Sequence, residues 1–167
     1  MVSACMEITT TRDIARQILR HRSFSFQEFS QRYADPTKDL EFVLREARLQ
    51  DPKNRQNSIE VVQDNPEARR LAQDWERAQT RVKLAAIEAY NWAIDNGIAK
   101  EQARAVLPEG MMSSRLYMNG TLRSWIHFIE LRSANGTQKE HQEVAQACAQ
   151  AIAAIFPMTT EFALSDA

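Results

Sequence analysis

One long helix dominates what this chain can become. Asn65-Pro66-Glu67 combines three start signals: an Asn able to cap, a Pro at the first helical position and an acid in the first turn. Apolar residues then recur at Leu71, Trp75, Ala78, Val82, Ala85, Ala89 and Ala93, the spacing of one helical face. Gly97 supplies the stop. The pattern predicts a helix from Pro66 to Asn96, roughly 45 Å long. Its alanine-rich seam, with Trp75, Tyr90 and Trp92, suits close packing inside the subunit or against another subunit. The 167 residues fit one domain.

The flanking segments mix strands with helices. Glu7 to Thr11 is rich in β-branched residues and predicts a short strand. Thr10 with Asp13 can cap a helix whose buried face holds Ile14 and Ile18, and Gln17 lies on the same side as Arg20. Leu40 to Leu49 is ambiguous: Phe42 and Leu44 alternate like a strand, yet Glu41 to Arg48 could be helical. Asp51 to Ser58 is polar and proline-broken, a loop. Lys100 to Val106 predicts a short helix ended by Pro108. Ser113 to Asn119 reads as a strand and Asn119-Gly120 as a turn. Leu122, Trp125, Ile126 and Ile129 make a helical stripe through Arg132, broken by Asn135-Gly136. Thr137 to Glu140 reads as a capping box. The last helix carries Val144, Cys148, Ala151, Ile152 and Ile155 and stops before Pro157.

Composition excludes several classes. A net charge of −1 and a pI near 6.3 argue against a general nucleic-acid binder. No apolar run is long enough to span a membrane, and Met1 to Cys5 lacks the features of a signal peptide, so a cytoplasmic setting is expected. Cys5 and Cys148 suggest neither a disulfide framework nor a metal site; Cys148 reads as a small core residue. All the cations except Lys38, Lys53, Lys83, Lys100 and Lys139 are arginines, the better fork for phosphates and carboxylates.

The chemistry concentrates in Arg20 to Tyr33, which reads RHRSFSFQEFSQRY. If Phe24 to Arg32 is extended, Glu28, Ser30 and Arg32 share one face. A carboxylate, a hydroxyl and a guanidinium fork suit a ligand with an NH or OH at one end and an anion at the other. Taken alone, E-x-S-x-R is more often a solvated strand edge with a surface salt bridge, because charges usually face water.

The whole string resembles the signature of the flavin-dependent thymidylate synthases (ThyX family), R-H-R-x-x-S-x-N-E-x-S-x-R-Y, with Gln27 where the pattern has Asn. The resemblance continues through Ala103-Arg104-Ala105-Val106-Leu107-Pro108, Arg115-Leu116-Tyr117, Thr121-Leu122-Arg123-Ser124 and Leu131-Arg132. It implies a single ThyX-like domain over residues 1–167, of α+β fold: an antiparallel or mixed sheet flanked by helices, one of them long. It further implies a homotetramer with sites where subunits meet.

By matching position, the resemblance implies dUMP ligands at Gln17, Arg20, Glu28, Ser30, Gln31, Arg32, Arg104 and Arg132. It implies FAD contacts at Arg20, His21, Arg22, Glu28, Thr121, Leu122, Arg123 and His127; His127 departs from an Asn of some members. The implied reaction turns dUMP into dTMP, with methylenetetrahydrofolate as one-carbon donor, hydride from FAD reduced by NADPH, and no metal. Neither cysteine sits in a motif suited to attack on the pyrimidine. The implied catalytic group is instead Arg132, whose guanidinium can stabilise charge developing at uracil N3 and O4. In the family the signature lies well inside the chain, whereas here it begins at Arg20. The chain is therefore expected to be short at its N-terminus. The alternative expectation is a non-catalytic FAD- and dUMP-binding module, or one half of a partner-dependent enzyme.

Overall fold

The computed structural model describes residues 2–33, 35–39 and 41–157. Leu40, at the head of the ambiguous segment, and the part of the expected domain beyond Pro157 lie outside the described residues. In chain order the elements are β1 (Ser3–Thr11), α1 (Arg12–Ile18), β2 (Ser25–Glu28), α2 (Pro36–Asp39), β3 (Arg48–Gln50), β4 (Ser58–Glu60), α3 (Pro66–Asp95), α4 (Lys100–Ala103) with a 3-10 turn over Arg104–Val106, β5 (Ser113–Thr121), α5 (Leu122–Ser133) and α6 (Lys139–Ile155). The fold is α+β, as expected.

The main sheet has the order β1-β5-β2 and is antiparallel throughout. β1 pairs with β5 along its whole length, from Ser3 opposite Thr121 to Thr11 opposite Ser113. Along β5, Ser114, Leu116 and Met118 are buried while Arg115, Tyr117 and Asn119 face out, the alternation of a sheet covered on one face. That covered face, with Ile8, Leu116 and Met118, packs on Ile14 and Ile18 of α1, Trp125, Phe128 and Ile129 of α5, and Ala145, Cys148 and Ile152 of α6. A smaller cluster joins Ala86, Tyr90 and Ala93 of α3 to Ala103, Leu107 and Met112.

Three local expectations are corrected. Asn119-Gly120 is not a turn: β5 runs through it to Thr121. The glycine serves a close approach, because a Cβ there would stand 2.4 Å from Cδ1 of Phe24. The first helix begins after Thr11, not Thr10, and its hydroxyl donates to Asp13 Oδ1 at 2.6 Å rather than capping the backbone. Thr137 does not open a capping box. The last helix begins after Gln138, with no side-chain cap bond, and Glu140 is held by Arg48 and Gln138 instead.

The segment after Leu40 resolves in favour of extended chain. Phe42 bridges to Met112, and Arg48–Gln50 and Ser58–Glu60 close a small hairpin around the polar loop. The long helix starts as its sequence dictates, with Asn65 Oδ1 accepting from the Ala68 N–H at 2.9 Å, and Gly97 follows at φ 76°. Its buried line keeps only Tyr90 and Ala93 of the expected seam. Gln79, Ala86, Tyr90 and Ala93 are covered by the chain's own residues, while Leu71, Trp75 and Val82 remain 46, 44 and 50 % exposed. On α6, Ala151 and Ile155 likewise face out, and His141, Ala145 and Ala149 take the covered positions.

Candidate active site

The α1–β2 turn brings His21 against α5. Its ring meets Phe128 edge-on, with centroids 4.9 Å apart. Its Nε2 accepts a hydrogen bond from Arg132 Nε at 2.9 Å, in the last turn of α5. A nitrogen that accepts cannot carry the proton, so the ring is neutral here and its proton sits on Nδ1. Burial, then the Arg132 charge, then His127, push its pKa down to about 4. Anchored at Nε, Arg132 keeps both Nη groups without a hydrogen-bond partner among the described residues. Packing fixes the stem and leaves the donor fork open.

Gln17, at the end of α1, lies in a chain of polar groups at the start of α6. Its Nε2 donates to Gln138 Oε1 at 2.9 Å, and its Oε1 is 3.2 Å from Nδ1 of the fully buried His141. Arg20 does not share its helical face: α1 ends at Ile18, and Arg20 lies exposed in the following turn.

The proposed face of Glu28, Ser30 and Arg32 does not form. Strand pairing ends at Glu28, and Gln31 to Tyr33 lie in a turn. Glu28 lies on the same side as the core residues Phe24 and Phe26; it accepts from Ser114 Oγ at 2.8 Å and faces the buried Arg12 at 3.6 Å. Arg32 pairs with Glu101 at 3.3 Å, and Arg104 Nε donates to the Glu101 carbonyl at 3.3 Å, so α4 gathers these two arginines. Ser30 Oγ accepts from the Arg32 N–H at 3.4 Å. Gln31 is buried, with Nε2 lacking a partner. Among the described residues, no hydrogen bond or ion pair links the Arg32, Glu101 and Arg104 group to His21 and Arg132.

The residues implied for FAD suit a diphosphate in their chemistry. Arg20, Arg22 and Arg123 are exposed and have no carboxylate partner among the described residues. Arg123 also stands in the first turn of α5, where a cation is unfavourable unless an anion offsets it. Two implied contacts are otherwise engaged. The Thr121 hydroxyl caps α5 by accepting from Ser124 N, and the Leu122 N–H donates to the Val2 carbonyl. His127 is exposed on α5.

A cleft of about 760 Å³ lies elsewhere, between the β3–β4 hairpin, Leu71 and Trp75 of α3, and the start of α6, and it meets the polar chain of Gln17 at Gln138. Among the described residues no helix is long and apolar enough to cross a membrane, and no group of three His, Cys, Asp or Glu could hold a metal. Burial pushes the Cys148 thiol up to about 12, so it is inert near neutral pH. Sequence reasoning missed Gln138 and His141. Their signal was a polar pair three apart, Gln138 just before the last helix and His141 on the face that also carries Ala145 and Cys148.

The fold and this donor set define a class: an α+β protein with a polar, arginine-rich turn set against its sheet. The Thy1 family profile, "Thymidylate synthase complementing protein", matches residues 1–158. The chain is 48% identical to the flavin-dependent thymidylate synthase of Synechocystis sp. over 158 residues, covering 94% of this chain and 69% of that protein. It is 46% identical to a protein described as a probable flavin-dependent thymidylate synthase of Paramecium bursaria Chlorella virus 1, covering 91% of this chain and 67% of the other. The crystal structure of the UMP/dUMP methylase PolB from Streptomyces cacaoi, bound with 5-Br UMP, superposes with a TM-score of 0.74 at 29% identity over 96% of this chain and 73% of that one. The chain belongs to the flavin-dependent thymidylate synthase family.

Proposed function

We propose that this protein methylates dUMP to dTMP, with methylenetetrahydrofolate as one-carbon donor and FAD reduced by NADPH, as a cytoplasmic homotetramer with sites where subunits meet. The observation that carries the reading is the Arg132–His21 bond, which ties the signature turn to the arginine implied as catalytic. Gln17, Arg20, Glu28, Ser30, Gln31, Arg32, Arg104 and Arg132 bind the nucleotide. Arg20, His21, Arg22, Glu28, Thr121, Leu122, Arg123 and His127 hold the flavin. Bound FAD would supply the hydride.

The chain's own groups then have distinct tasks. Unpaired guanidinium groups take the phosphates bidentately. The Arg132 fork, pre-oriented by His21, faces the C4 edge of uracil, donates to O4 and stabilises the negative charge that develops at N3 and O4, which raises electron density at C5 without a covalent bond to the enzyme. Among the described residues Ser30 Oγ has only the Arg32 N–H as partner and no general base, and it serves binding. The uncovered α3 seam at Leu71, Trp75 and Val82 suits a second subunit.

Purified protein mixed with dUMP, methylenetetrahydrofolate, FAD and NADPH should yield dTMP; a folded, flavin-loaded sample that yields none overturns the reading. The likeness to PolB favours one alternative, methylation of UMP as well as dUMP. Product masses from parallel UMP and dUMP reactions separate the two.

A further inference from the structure

We propose that Glu140, Gln138 and His141 form a directed hydrogen-bond relay that fixes the orientation of the Gln17 amide, so that the site discriminates between pyrimidine edges. The proposal rests on the reading of Gln17 as a nucleotide ligand. It makes His141 and Glu140 positioning residues.

The direction of each bond follows from the one before it. Glu140 is a carboxylate and only accepts. Its Oε1 takes Arg48 Nη2, and its Oε2 takes Gln138 Nε2 at 2.9 Å. With its NH2 end committed, Gln138 can present only Oε1 to Gln17. Gln17 must answer with Nε2, at 2.9 Å, which turns its own Oε1 toward His141 Nδ1 at 3.2 Å. An acceptor at that place requires the His141 proton on Nδ1.

The remaining atom agrees. His141 Nε2 is buried without a partner, beside the Phe128 ring at a centroid separation of 5.8 Å. In the directed relay that atom is a bare lone pair. In the reversed relay it would carry an orphaned N–H, the rarer and costlier defect. Reversal would also set the Gln17 and Gln138 carbonyl oxygens against each other. Burial, then Arg132, then His21, hold the His141 pKa near 4, so the ring stays neutral around pH 7.

Beyond the relay Gln17 keeps one N–H and one lone pair, each in a fixed place. Uracil presents an N–H at N3 and a carbonyl at C4; cytosine presents a lone pair and an amino group at those positions. An amide of set polarity accepts one edge and opposes the other, because the mismatched groups are left unpaired.

The test compares dUMP with dCMP by calorimetry in parent, His141→Leu, His141→Asn and Glu140→Gln proteins. His141→Leu keeps the volume and removes the donor; His141→Asn keeps a donor near the Nδ1 position; Glu140→Gln frees Gln138 to turn. The expected result is a preference for dUMP over dCMP that falls about tenfold in His141→Leu and Glu140→Gln and is retained in His141→Asn. A merely structural role would weaken both ligands alike, so an unchanged preference in His141→Leu, or an equal loss in His141→Asn, overturns the relay. Imidazole 15N shifts of the ligand-free parent decide it independently: a proton on Nδ1 of His141 is expected, and a proton on Nε2 overturns it. If the parent binds no dUMP, the nucleotide reading fails, and the 15N shifts still decide the relay.

Discussion

Arg132 and His21 are joined by a 2.9 Å bond from Nε of the guanidinium to Nε2 of the imidazole. Lysine has one ammonium and no second nitrogen to serve as the anchored end, so it cannot be held at the ring and keep a free fork. Arg132→Lys is expected to lose at least about tenfold in dTMP formation at saturating dUMP, the signature of an interaction stronger in the transition state than in the ground state. Near-normal turnover at high dUMP would reduce Arg132 to a binding residue.

Glu28 faces Arg12, whose side chain is 8 % exposed, and also takes the Ser114 hydroxyl. Removing the carboxylate leaves the buried Arg12 with only the distant, half-exposed Glu109 at 4.0 Å, so Glu28→Ala should cost about 2–3 kcal/mol of stability. Arg32→Ala breaks an exposed pair with Glu101 and should cost under about 1 kcal/mol, while weakening dUMP roughly tenfold or more. Urea melts paired with nucleotide titrations separate the two cases; equal stability losses would contradict the burial difference.

At Gly120 an added methyl would meet the Phe24 ring at 2.4 Å. Phe24 is itself wedged against Trp125, centroids 4.9 Å apart, so it has little room to retreat. Gly120→Ala should destabilise by about 1–3 kcal/mol. Adding Phe24→Leu should recover part of that loss in a double-mutant cycle. Strictly additive effects would mean that the ring is not the obstacle.

His141 is neutral in the fold, with a pKa lowered from 6.5 to about 4. The unfolded chain binds a proton there first, so stability is complete above pH 6.5 and declines as pH falls toward 4. The slope from this group reaches at most about 1.4 kcal/mol per pH unit. His21 shifts the same way, and its contribution is smaller because it is partly exposed. Asp35 and Asp51, with pKa values below 3.8, titrate under this window. Urea melts between pH 4.5 and 7 should show the decline, and His141→Leu should flatten it. A parent stability that is level across the window would refute the assignment.

Along α3, Trp75 and Val82 stand uncovered on the stripe that, nearer its C-terminal end, is covered at Tyr90 and Ala93. Trp75→Glu or Val82→Glu should shift self-association toward monomer by light scattering while the isolated fold persists. An unchanged oligomer would place the interface elsewhere.

The long helix, its Asn65 cap and the Gly97 stop were legible because each rests on local chemistry: one side-chain oxygen, one fixed φ, one positive φ. Which face it buries was not, since the seam of Leu71, Trp75 and Val82 is more apolar than the line through Gln79 that the chain covers. Gln79 is buried because its amide is satisfied by the Arg45 backbone, accepting from its N–H and donating to its carbonyl, each at 2.8 Å. Such a bond between residues 34 apart leaves no mark in the periodicity. The same holds at the site. The string from Arg20 to Tyr33 was readable as a motif, but the partners of Glu28, Arg12 and Ser114, come from other elements and draw it into the sheet instead of onto a face with Arg32.

The β3–β4 hairpin is fastened to the first turn of α6 by charge: Arg48 to Glu140, and Lys139 to both Glu46 and Glu60. Lys139, Glu46 and Glu60 are partly or largely exposed, so dissolved ions compete for them, and the Debye length falls from about 10 Å at 0.1 M salt to about 3 Å at 1 M. Glu140 belongs both to this clasp and to the amide chain leading to Gln17. Salt that loosens the clasp is therefore expected to slacken the carboxylate from which the Gln17 amide takes its direction.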